Sequence, residues 1–163
     1  IINPLIMKAT LVDGKVETAL AINEVSLLRA GPQAAKLQIW VDNRQRMDEL
    51  VCDGVLVATP AGSTAYNYSA HGPILPMGAD VLAMTALNAY RPRRWRGALL
   101  PKTAVVRIDV LDNTKRPVMA DADSISFKNV KKVEISSETK IQHRILFNEG
   151  HGLDERLIQE QFV

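Results

Sequence analysis

At 163 residues, 47% apolar and 23% charged, the chain has the composition of a globular domain and the length to bury a real core. A formal net charge of +2 is too small to imply a nucleic-acid or membrane partner. One cysteine, Cys52, excludes an internal disulfide and fits a reducing cytoplasm, and there is no signal peptide and no apolar run of about 18 residues.

Most predicted elements are strands. Pro4 to Val12 turns at Asp13-Gly14, a strong hairpin signal, into a second strand over Lys15 to Leu28. Lys36 to Val41 alternates with period two, turns at Asp42-Asn43 and pairs back through Arg46 to Cys52. Val55 to Ala58 is a short apolar strand. Gly62 to Ala70 opens a helix with Ser63 or Thr64 near its first turn, and Ala79 to Asn88 has helical propensity. Thr103 to Leu111 puts Ala104, Val106, Ile108 and Val110 on one face. Ser124 to Lys128, Val130 to Ser136 and Thr139 to Phe147 complete the strands. Leu153, Leu157, Ile158 and Phe162 share a face of a C-terminal helix, with Asp154 and Glu155 near its N-terminus. Many short strands between turns predict a mainly-β fold, a sandwich of antiparallel sheets with few helices, in one domain over residues 1–163. The chain opens on Ile1-Ile2-Asn3-Pro4 without an initiator Met and reads as a fragment.

The most informative stretch is Asp53 to Pro73. A strand ends in a Pro/Gly turn, and small hydroxyl residues and a tyrosine follow before a second Gly-Pro break. Small residues admit close backbone approach, and hydroxyls donate and accept without charge, which suits a nucleoside. No lysine follows the glycine, so a P-loop is excluded. Physics alone leaves two readings of Gly62 to Tyr66 open. It is a turn whose amides and hydroxyls hold a nucleotide, or an ordinary capped helix. Cys52, at the head of an apolar strand, reads as a buried inert thiol rather than a nucleophile. Arg91 to Arg96 holds four arginines and Trp95, and fits a subunit contact with a guanidinium stacked on Trp95, or a phosphate site. Asp121 and Asp123 read as a solvated turn, with a place near a substrate as the alternative. His71, His143 and His151 are not at metal-ligand spacing, and no metal cage is predicted.

The Asp53-Gly54…Thr59-Pro60-Ala61-Gly62-Ser63-Thr64-Ala65-Tyr66…Ser69-Ala70-His71-Gly72-Pro73 stretch resembles the signature of NAD kinases. Ala21-Ile22-Asn23-Glu24-Val25 resembles a second block of that family. Arg91 to Pro101 is similar to one bacterial branch. The resemblance implies the NAD-binding C-terminal β-domain of an enzyme that phosphorylates the 2′-hydroxyl of NAD's adenosine ribose with ATP or polyphosphate. By resemblance, Asn23 contacts the adenosine with Glu24 as its companion. Thr64 and Ala65 meet the adenine, and Tyr66 packs on the dinucleotide. Asp53 accepts from the nicotinamide carboxamide, and Ser69 lies near that end. Position 61 is Ala where Thr or Ser is usual, and position 71 is His where Gly is usual; His71 reads as loop filler or pocket lining. The family's Gly-Gly-Asp block, with its general base, does not occur in this sequence. No catalytic residue is therefore expected here, the fragment alone is expected to be inactive, and Mg²⁺ is expected to arrive with ATP. A homo-oligomer, dimer or tetramer, is implied. Two rivals stand beside this reading: the C-terminal domain of a lipid or sphingoid kinase, and a non-catalytic nucleotide-binding or oligomerisation module.

Overall fold

Alternation of apolar and polar residues builds the first sheet. In Ala35–Val41 and Val106–Leu111 every second residue is buried, which sends Leu37, Ile39, Val106 and Ile108 to one face. The computed structural model describes residues 2–144, 146 and 152–162, without the side chains of 153, 154, 156 and 157. Among these, two six-stranded antiparallel sheets are present. The first has the order β2 (Val16–Ala21), β1 (Leu5–Leu11), β12 (Val130–Ser137), β9 (Val106–Leu111), β4 (Ala35–Val41) and β5 (Arg44–Cys52). The second runs β11 (Ile125–Phe127), β10 (Val118–Ala122), β3 (Glu24–Arg29), β6 (Gly54–Ala58), β7 (Val81–Leu87) and β8 (Gly97–Pro101). Leu5, Met7, Ile108 and Ile135 of the first sheet pack with Val25, Leu27, Val55 and Met84 of the second in one apolar core. Each such side chain, fully buried, contributes about 1.5–3 kcal/mol. The expected mainly-β sandwich is thus the observed architecture.

Several local expectations are corrected. Lys15 to Leu28 is not one strand. It breaks at Ile22-Asn23, and β2 and β3 belong to different sheets. Ala79 to Asn88 is strand β7 rather than helix. Both faces of β7 are covered, so no period-two alternation shows, and tertiary pairing overrides the helix propensity of Ala, Leu and Met. The helix over Gly62 to Ala70 contracts to one turn, α1 (Tyr66–Ser69), with Ala65 at its N-cap and no side-chain cap from Ser63 or Thr64. A helix so short has little dipole to offer a phosphate. Residues 139–144 are irregular apart from a bridge between His143 and Ile2; 145 and 147 lie outside the described residues. The helix α2 (Leu153–Gln161) is present, with Ile158 and Phe162 exposed; the side chains of Leu153, Asp154 and Leu157 lie outside the described residues, as does His151.

The site loop is seated on β6. Its five residues are all buried, Val55 and Val57 in the main core and Leu56 and Ala58 beneath Ala70 on the outer face. Gly62 lies against the bend at Asn23, where an added Cβ would come 2.1 Å from the Asn23 carbonyl oxygen. Gly62→Ala should therefore destabilise the fold by about 1–3 kcal/mol in urea denaturation. Gly78→Ala, with nothing within 4 Å of its Cβ, should stay within about 0.5 kcal/mol of the wild type.

Candidate functional site

The bend between β2 and β3 is held from across the sheet. Asp123 sits at φ +50° in the tight turn joining β10 to β11. Its Oδ2 accepts the Ile22 amide at 2.7 Å, and its Oδ1 accepts those of Asn23 and Glu24 at 3.0 and 3.2 Å. The Thr59 hydroxyl donates to the Ile22 carbonyl at 2.6 Å, and the Thr59 amide to that of Asn23 at 3.0 Å. Ser63 Oγ donates to the Pro60 carbonyl at 2.8 Å and accepts the Leu75 amide at 2.9 Å. Asn67, fully buried, donates to the Ser63 and Pro73 carbonyls and accepts the Thr85 hydroxyl. Gly72 closes over it, leaving no room for a Cβ beside Asn67 Oδ1. Thr59, Ser63 and Asn67 are thus spent on the loop's own shape.

Tyr66, 38% exposed, lines two clefts, one on either side of it. On one side about 270 Å³ is lined by Asn23, Glu24, Ser26, Asp121, Asp123 and Ser124. On the other about 630 Å³ is lined by Asp53, Ser69, His71 and Arg94 to Arg96, over a floor that includes Leu28, Leu87 and Ala70. The structure therefore gathers Asn23, Glu24, Asp53 and Ser69 around Tyr66. Thr64 and Ala65 are half-buried beside it and line neither cleft. Ser69 Oγ donates to the Tyr66 carbonyl at 2.9 Å and steadies α1.

The charges are set by their surroundings. Glu24 is 9% exposed, and its Oε1 accepts the Tyr66 amide at 3.1 Å. Burial raises its pKa above the ordinary 4.5; the Tyr66 amide pulls it down, and neighbouring Asp123 adds to the rise. Asp53 differs. Burial would raise its pKa, but hydrogen bonds from Asn88, Tyr90 and Arg29, with the Arg29 charge, outweigh burial and hold it below 3.8. Those contacts measure 2.8 Å from Asn88, 3.0 Å from Tyr90 and 2.8 Å from Arg29. The Tyr66 phenol is raised by burial and by Asp121, Glu24 and Asp53, so it stays a neutral donor. Burial pushes the Cys52 thiol up to about 12, which fits an inert core residue.

Sequence reasoning missed Arg29, Asn88 and Tyr90, which lie 24 to 37 residues from Asp53 and meet it only through strand pairing. Asp123 is a structural clamp rather than a merely solvated turn. His71 sits at φ +65°, which accounts for a glycine being usual at such a position, and it lines the larger cleft. The guanidinium stack found among the described residues joins Arg107 to Trp40, 4.3 Å from the ring centre, not an arginine to Trp95.

A carboxyl whose folded pKa is raised stabilises the fold below its unfolded pKa, and that stabilisation is lost as pH climbs through the folded value. Glu24→Gln keeps an acceptor for the Tyr66 amide without the charge. It should be more stable than the wild type at pH 7, with the difference vanishing below about pH 4.5, as thermal melts across that range would show.

A family model described as the ATP-NAD kinase C-terminal domain matches residues 13–142. An NAD kinase of Cereibacter sphaeroides (strain ATCC 17025 / ATH 2.4.3) is 70% identical over 163 residues, covering 100% of this chain and 64% of that protein. An NAD kinase of Hyphomonas neptunium is 56% identical, covering 99% of this chain and 64% of its own length. The chain thus spans about 64% of these relatives. Among solved structures, yeast NADH kinase complexed with NADH superposes with a TM-score of 0.76 at 25% identity, covering 86% of this chain and 41% of that one. An NAD kinase from Archaeoglobus fulgidus in complex with ATP shares the fold, with a TM-score of 0.69 at 22% identity over 84% of this chain and 51% of that one. Sandwich, loop and family match agree: this chain belongs to the ATP-NAD kinase C-terminal domain family.

Proposed function

We propose that residues 1–163 form one domain that binds NAD or NADP. Within a longer enzyme, the domain presents NAD's adenosine ribose for phosphorylation at its 2′-hydroxyl by ATP or polyphosphate. The observation that carries this reading is Tyr66 standing between two polar clefts, a nucleoside-sized recess on either side of one aromatic face. Adenosine takes the Asn23–Glu24 side, where Glu24 accepts from ribose hydroxyls and the Asn23 amide meets the base. Thr64 and Ala65 lie at its edge. The nicotinamide takes the Asp53–Ser69 side. Asp53, ionised and already holding three donors, offers its remaining lone pair to the carboxamide.

The proton acceptor for the 2′-hydroxyl is assigned to the part of the relatives that this chain does not cover. Mg²⁺ belongs to this reading as the ion that enters with the triphosphate. Neither a nucleic-acid nor a membrane partner is part of this reading; among the described residues no helix is long and apolar enough to cross a bilayer. The lone buried cysteine supports placement in a reducing, cytoplasmic compartment. Self-association belongs to the same proposal. The edge strand β8, directly after the arginine segment, carries no charge and exposes Leu99 at 58%.

The chain should bind NAD in calorimetry yet form no NADP with ATP; robust turnover by these 163 residues would refute the assignment of the base elsewhere. Asn23→Ala and Tyr66→Ala should each cost about 1–3 kcal/mol of binding, and unchanged affinity in both folded variants would sink the site. Sedimentation at concentrations on the order of tens of micromolar, a usual working range for weak homodimers, should give a dimer or tetramer that Leu99→Lys weakens. A wild-type monomer would reject self-association.

A further inference from the structure

Arg91, Arg93, Arg94 and Arg96 take part in none of the ion pairs found among the described residues, which involve Arg29, Arg107 and Arg116. Their segment is nevertheless fixed in place. The Val51 amide donates to the Arg91 carbonyl at 2.8 Å, and the Ala86 amide to the Arg96 carbonyl at 2.8 Å. The Trp95 ring packs against the apolar core. Gly97 follows at φ +147°, where a Cβ would come 1.9 Å from the Met84 carbonyl oxygen; only glycine lets β8 seat against β7 directly after Arg96. Arg94, Trp95 and Arg96 are thereby set into the wall of the 630 Å³ cleft that Tyr66 and Ser69 also line.

The balance of charge gives this wall its meaning. Asp53 is matched by Arg29 at 2.8 Å, so Arg94 and Arg96 leave the larger cleft with an excess of positive charge. The smaller cleft carries Glu24, Asp121 and Asp123 and is acidic. The two clefts have opposite sign and meet at Tyr66. A ligand spanning both needs an uncharged group rich in hydroxyls and amines on the acidic side, and an anion on the basic side. A nucleoside joined to a diphosphate has that polarity, and guanidinium groups match phosphate oxygens in pairs.

We propose that Arg94 and Arg96 form the subsite for the diphosphate of the bound dinucleotide, and so select dinucleotides over free nucleosides. The proposal rests on the dinucleotide reading above. It also moves the arginine segment from a subunit contact to the ligand.

Calorimetry at low and moderate salt should compare NAD, adenosine and inorganic pyrophosphate. The proteins are the wild type, Arg94→Gln, Arg96→Gln, the double variant and the corresponding Lys variants. The double Gln variant should lose about tenfold or more in NAD affinity. It should also show a flatter salt dependence and no pyrophosphate binding, with adenosine affinity unchanged. The Lys variants should retain part of the NAD affinity, and NAD should displace pyrophosphate from the wild type. Unchanged NAD affinity and salt dependence in the folded double variant would overturn the proposal. So would an equal loss of adenosine affinity, or pyrophosphate remaining bound alongside NAD. Wild-type failure to bind both NAD and adenosine would refute the dinucleotide reading itself. Pyrophosphate still held through the two arginines in that case would keep the anion subsite.

Discussion

The site depends on one carboxylate. Asp123 gathers the amides of Ile22, Asn23 and Glu24 at the point where the chain leaves one sheet for the other. An amide left unpaired there would cost about 1–3 kcal/mol if buried. Fixing them turns the carbonyls of Ile22 and Asn23 toward Thr59, and Thr59 in turn takes the Gly62 amide at 3.1 Å. The loop therefore docks on the bend, and Glu24 meets the Tyr66 amide as a consequence. Losing this clamp would disturb both clefts, although Asp123 borders only the smaller one.

The two principal carboxylates carry opposite relations to stability. Asp53, held below its ordinary pKa, stabilises the fold above that ordinary value and loses the contribution as pH falls through its folded one. Glu24, raised by burial and by Asp123, opposes the fold once ionised. A buried carboxylate beside another carboxylate is a poor choice for stability. Its retention makes sense if a ligand's hydroxyls supply the donors that the protein withholds, which would repay part of the cost on binding. The sandwich core, where Leu5, Leu37, Leu50 and Ile108 are fully buried, supplies the surplus that tolerates it.

The sheets were legible in the sequence where one face is solvated. Lys36 to Val41 and Thr103 to Leu111 alternate because only one side packs, and their structures follow the pattern closely. The reading failed where both sides pack. β7 is buried on either face, with Thr85 turned outward to Asn67, so its sequence has no alternation to read. It also failed at Ile22-Asn23, because the residue that breaks the strand lies about a hundred positions away. The site divides in the same way. The loop and the Asn-Glu pair are local and were legible; the partners of Asp53 are assembled by β3, β6 and the turn after β7, and no spacing announces them.

Packing also explains which positions of the loop can vary. Gly62 and Gly72 cannot, since a Cβ at either meets backbone or a buried amide at about 2 Å, 2.1 and 2.0 Å respectively. Position 61 is half-buried, and its side chain borders a different recess, lined also by Asp80 and Lys102, so an alanine there leaves the clefts beside Tyr66 unchanged. Position 71 demands a left-handed backbone, which costs a non-glycine residue about 1–2 kcal/mol. Histidine pays that and sets an imidazole in the wall of the larger cleft, which Arg94 and Arg96 also line. The departures at 61 and 71 therefore fall where the fold leaves room, and the glycines stay where it does not. A loop so constrained presents Tyr66 in nearly one orientation, and variation in what it binds is left to the residues around the clefts.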